Sequence, residues 1–205
     1  TMIDHNAADE HSWKMGVSKF TDYTEEEKRR QLGYKGGRSR KQDGVGSGAA
    51  TTLDRGRDLP STYNVVSTMA PRTKIMSIIR DQGNCGSCWA EAAVSTFEGQ
   101  MEVNATLMEE LNASHKVDEK VPETPTLSSQ AVVSCTVNKR HCGGKGGCEG
   151  ATAELAYDMV MQHGGLPFAH QWSYEGHNMK CKREVFDNHR INMLGYTILP
   201  SNKFN

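Results

Sequence analysis

The sequence predicts a helix-dominated fold with few strands, carried behind a short front segment and a glycine-rich linker. Three observations carry this. Apolar residues recur at spacings of three and four in three stretches beyond residue 80, which is helical periodicity. Stretches of alternating apolar and polar residues are sparse. Leu, Ile, Val and Phe together number only 34 of 205 residues, while ten Met, three Trp, six Cys and a net charge of −1 argue against wholesale disorder. Part of the chain is therefore poor in core residues and the rest is normal. At roughly 150 residues per domain the length fits one domain plus a remainder.

Residues 1–35 hold Trp13, Val17 and Phe20, and Thr24-Glu25-Glu26-Glu27 predicts a capping box opening a short helix. So short a segment cannot form an independent core, so it is expected to pack on something else. Residues 36–58 contain six glycines, several Arg and Lys, and only Val45 and Leu53 as large aliphatics. Such a stretch cannot offset its ordering entropy by burial and reads as an exposed linker. Its basic residues suit proteolytic cutting; a plain solvated loop is an equal alternative.

From Leu59-Pro60 onward the chain reads as globular. The first helix starts near Cys88 and runs through Trp89, Ala92, Ala93, Phe97 and Met101. A second follows Ser128 as N-cap, through Ala131 and Val132 to Cys135. A third spans about Thr152 to His163, with Leu155, Met159 and Val160 on one side and Gly164-Gly165 as its stop. Residues 103–126 are polar, hold Pro122 and Pro125, and read as a surface excursion. Its sequons Asn104-Ala105-Thr106 and Asn112-Ala113-Ser114 carry no weight, because roughly 1.6 are expected from composition alone.

The balance of 24 basic and 25 acidic residues gives no field favouring nucleic acid or an anionic membrane. No stretch of 18 apolar residues predicts a membrane span. Nor does Thr1-Met2-Ile3-Asp4-His5 read as a signal peptide, since it lacks a basic start and an apolar run.

The six cysteines stand at 85, 88, 135, 142, 148 and 181. Cys85-x-x-Cys88 is half of a zinc knuckle, but no second half follows at the required spacing, so no metal is expected. Cys85-Gly86-Ser87-Cys88 also has the form of a thioredoxin-like redox pair, although Arg80-Asp81-Gln82-Gly83-Asn84 is not the apolar strand that fold needs. In a third reading Cys88 is a nucleophile, because a thiol at a helix start meets the positive end of the macrodipole. A buried core thiol is the rival on spacing alone.

Gln82-Gly83-Asn84-Cys85-Gly86-Ser87-Cys88-Trp89-Ala90 resembles the active-site segment of the papain/cathepsin family of cysteine proteases. Other pieces follow in the family's order: Leu59-Pro60 at the mature start, Leu127-Ser128-Ser129-Gln130 with Cys135, Gly147-Cys148-Glu149-Gly150-Ala151, and Ser173-Tyr174-Glu175-Gly176 before Cys181. Upstream, Gly16-x-Ser18-x-Phe20-x-Asp22 with Thr24-Glu25-Glu26 resembles the C-terminal part of the family's inhibitory propeptide.

The resemblance implies an α+β papain-like fold, of which residues 59–205 form the N-terminal helical half of the peptidase domain. It implies Cys88 as nucleophile and Gln82 as an oxyanion-hole donor beside the Cys88 N–H. Trp89, Gly150 and Ala151 would meet an extended protein or peptide substrate. Disulfides would join Cys85 to Cys148 and Cys135 to Cys181, each contributing about 4 kcal/mol in the chain-entropy model. Such bonds imply an oxidising compartment: lysosomal, vacuolar or secreted. Residues 1–35 would block the cleft until the 36–58 linker is cut. No cofactor is implied, and Cys142 is left over.

A thiol protease also needs an imidazole, which in this family lies roughly 130–150 residues beyond the cysteine, past Asn205. The histidines at 5, 11, 115, 141, 163, 170, 177 and 189 match no such context; His163 reads as a favourable helix-dipole contact. The strand-rich half is therefore expected to be absent, with Tyr196-Thr197-Ile198-Leu199-Pro200 as the crossing into it. Its place could be filled by that half or by a partner protein. The departures are Tyr63-Asn64-Val65-Val66 for the usual Asp-Trp pair, Glu91 for an apolar residue, Ala151 for glycine and Ser18 for Asn. They leave a second reading: a catalytically inactive homologue serving as a binding or structural subunit of a larger assembly.

Overall fold

Helix α1 (Met2–Ala7) and helix α2 (Glu25–Gln31) bury no residue. In this computed structural model the described residues are 2–8, 10–35, 61–64, 78–104, 108–110, 113, 125–188 and 190–196. The 36–58 linker, Leu59-Pro60, Val65-Val66, most of the 103–126 excursion, His115, His189 and Thr197–Pro200 lie outside them. The capping box of α2 is formed at both ends: the Thr24 hydroxyl accepts from the Glu27 N–H, and the Glu27 carboxylate accepts from the Thr24 N–H at 2.8 Å. Trp13, Val17 and Phe20 are exposed, so these three do not anchor the segment by burial.

Helix α3 (Cys88–Val103) begins at the residue its periodicity predicts. It packs against α4 (Ser129–Cys135) and α5 (Ala153–Gln162), and all three contribute to one hydrophobic core. Trp89, Ala93, Phe97 and Met101 are buried as expected, but Ala92 is exposed and Glu91 and Glu98 are buried in its stead. The reason is a partner outside the helix. Arg80 donates to Glu91 at 3.0 Å and to Glu98 at 2.5 Å, and Glu98 also accepts the Leu127 N–H at 2.6 Å. Burial works against the Arg80 charge, but the two carboxylates more than offset it, while burial still holds the Glu98 carboxyl above its ordinary value. Ala92 faces the open cleft described below.

Helix α4 starts from Ser128, whose hydroxyl accepts from the Ala131 N–H. In α5, Ala156, Met159 and Val160 face the core, while Leu155 is only half-buried. Gly164, at φ 69°, turns the chain out of the helix. His163 is not the expected dipole contact. Its ring stacks on Phe186 at 4.2 Å, and burial, followed by the nearby Arg183 charge, lowers its pKa below 6.5. Both effects disfavour the charged ring that a dipole contact needs.

Strand β1 (Leu166–Pro167) pairs antiparallel with β2 (Arg190–Ile191), Leu166 opposite Ile191. The described part is thus helix-rich with one small two-stranded sheet. Disulfides join Cys85 to Cys148 and Cys135 to Cys181.

Candidate active site

The loop from Gln82 to Ser87 delivers Cys88 to the first position of α3, where a helix terminus favours an anion. Its thiol is free and half-buried. The Cys85–Cys148 bond ties this loop to the glycine-rich turn opposite, and the Gly86 N–H donates to the Cys148 carbonyl at 3.0 Å. Behind the thiol, the Trp89 indole N–H donates to the Gly147 carbonyl at 3.1 Å. The 82–88 loop and the 147–151 wall are therefore held together covalently and by hydrogen bonds.

A cleft of about 910 Å³ opens beside Cys88, lined among others by Trp89, Ala92, Cys142, Ala151 and Leu155. No histidine lines it among the described residues. Cys142 has a free thiol, and Asn138 fixes its backbone by accepting from its N–H and donating to its carbonyl.

The segment that follows α2 lies against Cys88. The Gln82 side-chain amide donates to the Gln31 carbonyl and to the Cys85 carbonyl, both at 2.7 Å. A Cβ on Gly33 would overlap the Gly86 carbonyl and stand 2.9 Å from the Cys88 Sγ. On the far wall, a Cβ on Gly150, at φ 95°, would overlap the Gly33 carbonyl. The Lys35 N–H then donates to the Gly143 carbonyl at 2.8 Å. Only a glycine pair permits this approach, because each occupies the space a side chain would need.

Cys88, Gln82, Gly150 and the segment 31–35 are thus gathered in one place, with Trp89 and Ala151 buried along the cleft wall. Two features escape sequence reasoning: the Arg80–Glu91–Glu98 cluster, whose Glu91 lies about one helical turn from Cys88, and the Tyr174 hydroxyl, 2.9 Å from the Gln82 carbonyl. Ser173-Tyr174-Glu175-Gly176 is visible as a motif, but nothing in it says where the phenol points.

The family model described as papain family cysteine protease matches residues 65–204. The chain belongs to that family. Among curated relatives, the oryzain beta chain of Oryza sativa subsp. japonica is 30% identical over 204 residues, covering 97% of this chain and 37% of the relative. Cathepsin J of Rattus norvegicus is 28% identical, covering 97% of this chain and 50% of its own length. The fold is similar to that of the ragweed pollen allergen Amb a 11 cysteine protease in its proform, with a TM-score of 0.63 at 22% identity, over 95% of this chain and 51% of the other. It is also similar to procathepsin L2 from the Tenebrio molitor larval midgut, with a TM-score of 0.65 at 23% identity, over 92% and 53%. The chain spans about half the length of the curated relatives it matches, or less.

Proposed function

We propose that the chain is the nucleophile-bearing part of a thiol peptidase in proenzyme form, with residues 1–35 as propeptide and 36–58 as the processing linker. The supporting observation is the Gln31 carbonyl: it accepts from the Gln82 amide while Gly33 lies against the Cys88 sulfur. A main-chain carbonyl thus meets the donor that a reacting peptide carbonyl would need, beside the atom that would attack it.

In this reading the Cys88 thiolate attacks the peptide carbonyl carbon and the carbonyl π pair moves to oxygen. The oxyanion accepts from the Gln82 side chain and the Cys88 N–H. Collapse expels the amine, which takes a proton from an imidazolium, and water then hydrolyses the thioester. The imidazole would come from the portion of the relatives' length that this chain does not span. Trp89, Gly150 and Ala151 would flank an extended substrate. Two disulfides suit an oxidising compartment, in keeping with a lysosomal, vacuolar or secreted protein.

The experiment is to release the front segment of the full polypeptide and assay a peptide-amide substrate. Thiol-dependent hydrolysis that disappears in Cys88→Ala is expected. If Cys88 reacts with iodoacetamide yet no hydrolysis depends on it, the inactive binding subunit becomes the account.

A further inference from the structure

The Tyr174 hydroxyl touches both ends of the nucleophile loop. It lies 2.9 Å from the Gln82 carbonyl and 2.5 Å from the Ser87 Oγ. The donors follow from chemistry. A carbonyl only accepts, so the single phenolic proton goes to Gln82, and the Ser87 hydroxyl must donate to the Tyr174 oxygen. Burial pushes the Tyr174 phenol above its ordinary pKa, so the proton stays on the oxygen at neutral pH.

The tie at Ser87 has a second effect. Ser87 is the N-cap of α3, yet its side chain makes no cap hydrogen bond, because its hydroxyl is turned to Tyr174. The first turn of α3 is capped by the Ser87 carbonyl instead, which accepts from the Ala90 N–H at 2.8 Å and the Glu91 N–H at 3.0 Å.

Tyr174 is itself held from α4. Gln130 is fully buried; its Oε1 accepts the Glu175 N–H at 2.8 Å, and its Nε2 donates to the His177 carbonyl at 3.0 Å and to the Ser134 Oγ at 2.9 Å. A continuous path therefore runs from Gln130 through the 174–177 turn to Gln82 and Ser87. No other described side chain bonds both the residue that would meet the oxyanion and the residue preceding the nucleophile.

We infer that Tyr174, braced by Gln130, is a positioning residue that sets the Gln82 donor and the Cys88 sulfur at their mutual geometry. The inference rests on the peptidase reading for its catalytic consequence, but not for its structural one.

The test is Tyr174→Phe in the full polypeptide, which removes one oxygen and keeps the ring. Amide hydrogen exchange across 82–88 is expected to quicken about tenfold, the equivalent of one lost hydrogen bond of about 1.4 kcal/mol. With the front segment released, kcat is expected to fall by a similar factor with KM nearly unchanged, since the defect lies in transition-state geometry. Ser87→Ala keeps the Gln82 tie and should show a smaller version of both effects, so the result survives if Tyr174→Phe fails to fold. Unchanged exchange in 82–88 overturns the inference, whatever the activity. Faster exchange with unaltered kcat, or a loss carried by KM alone, also overturns it. If the unsubstituted protein has no Cys88-dependent activity, the peptidase reading fails and exchange alone decides the strut.

Discussion

Helices α1 and α2 bury no residue, whereas α3 alone buries eight. The body holds its parts by a continuous apolar core, two disulfides and a buried charge cluster. The front segment touches the body through hydrogen bonds on its main chain at Gln31 and Lys35, the close passage of Gly33 between Gly86 and Gly150, and the exposed Lys19–Asp81 ion pair. Apolar burial resists small changes in solution conditions, while a few polar contacts can be undone singly. The two regions should therefore come apart separately, the front segment first.

The largest effect is expected within the body. Glu98→Ala leaves Arg80 with one carboxylate and strands the Leu127 N–H, so stability should fall by about 3 kcal/mol in urea denaturation. Glu98→Gln, which can still accept from Leu127, should lose less. Equal losses would show that the charge, not the backbone tie, matters.

Gly33→Ala should do the reverse, disturbing the contact and sparing the body. The new methyl collides with the Gly86 carbonyl and crowds the Cys88 sulfur. Overpacking of roughly 1–3 kcal/mol corresponds to a rise in Cys88 alkylation by iodoacetamide of about fivefold to about a hundredfold. The denaturation midpoint of the body should not move.

Acid sharpens the contrast further. His163 has a folded-state pKa below its ordinary 6.5, so its contribution is full above that value and is lost as pH falls through the folded one. The body's urea midpoint should decline on mild acidification, and His163→Gln should flatten that decline. Where the front segment meets the body, the hydrogen bond from Lys19, followed by that from the Gly83 N–H, holds Asp81 below its ordinary 3.8. That tie persists to lower pH and is lost only as pH falls from 3.8 through the folded value. Limited pepsin digestion within residues 10–35 should therefore accelerate below that point, and Lys19→Ala should remove the step. This last effect is the smallest, since the pair is exposed.

What could be read from the chain is what local chemistry decides. Thr24 with Glu27, Ser128 with Ala131, and the start of α3 at Cys88 depend on neighbours within four residues, and all three stand where the sequence places them. The helical phase of α3 was less legible. Periodicity favours Ala92 over Glu91 for burial, but Arg80 lies eleven residues away in the chain and captures Glu91. Likewise the family motif marks Cys88 and Gln82, while the phenol that bonds the loop comes from 92 residues downstream of Gln82. Such pairings depend on tertiary closure, which periodicity does not encode.

The crossing of Cys88 by residues 31–35 is written almost entirely in backbone. Gln82 reads a carbonyl, Gly143 reads an N–H, and the Leu32 and Lys35 side chains point to solvent. Within residues 31–35, the one letter this contact fixes is the glycine at 33. Its information content is therefore close to a single residue. Leu32 and Lys35 can drift in sequence without erasing the crossing, whereas one added methyl at position 33 rewrites it.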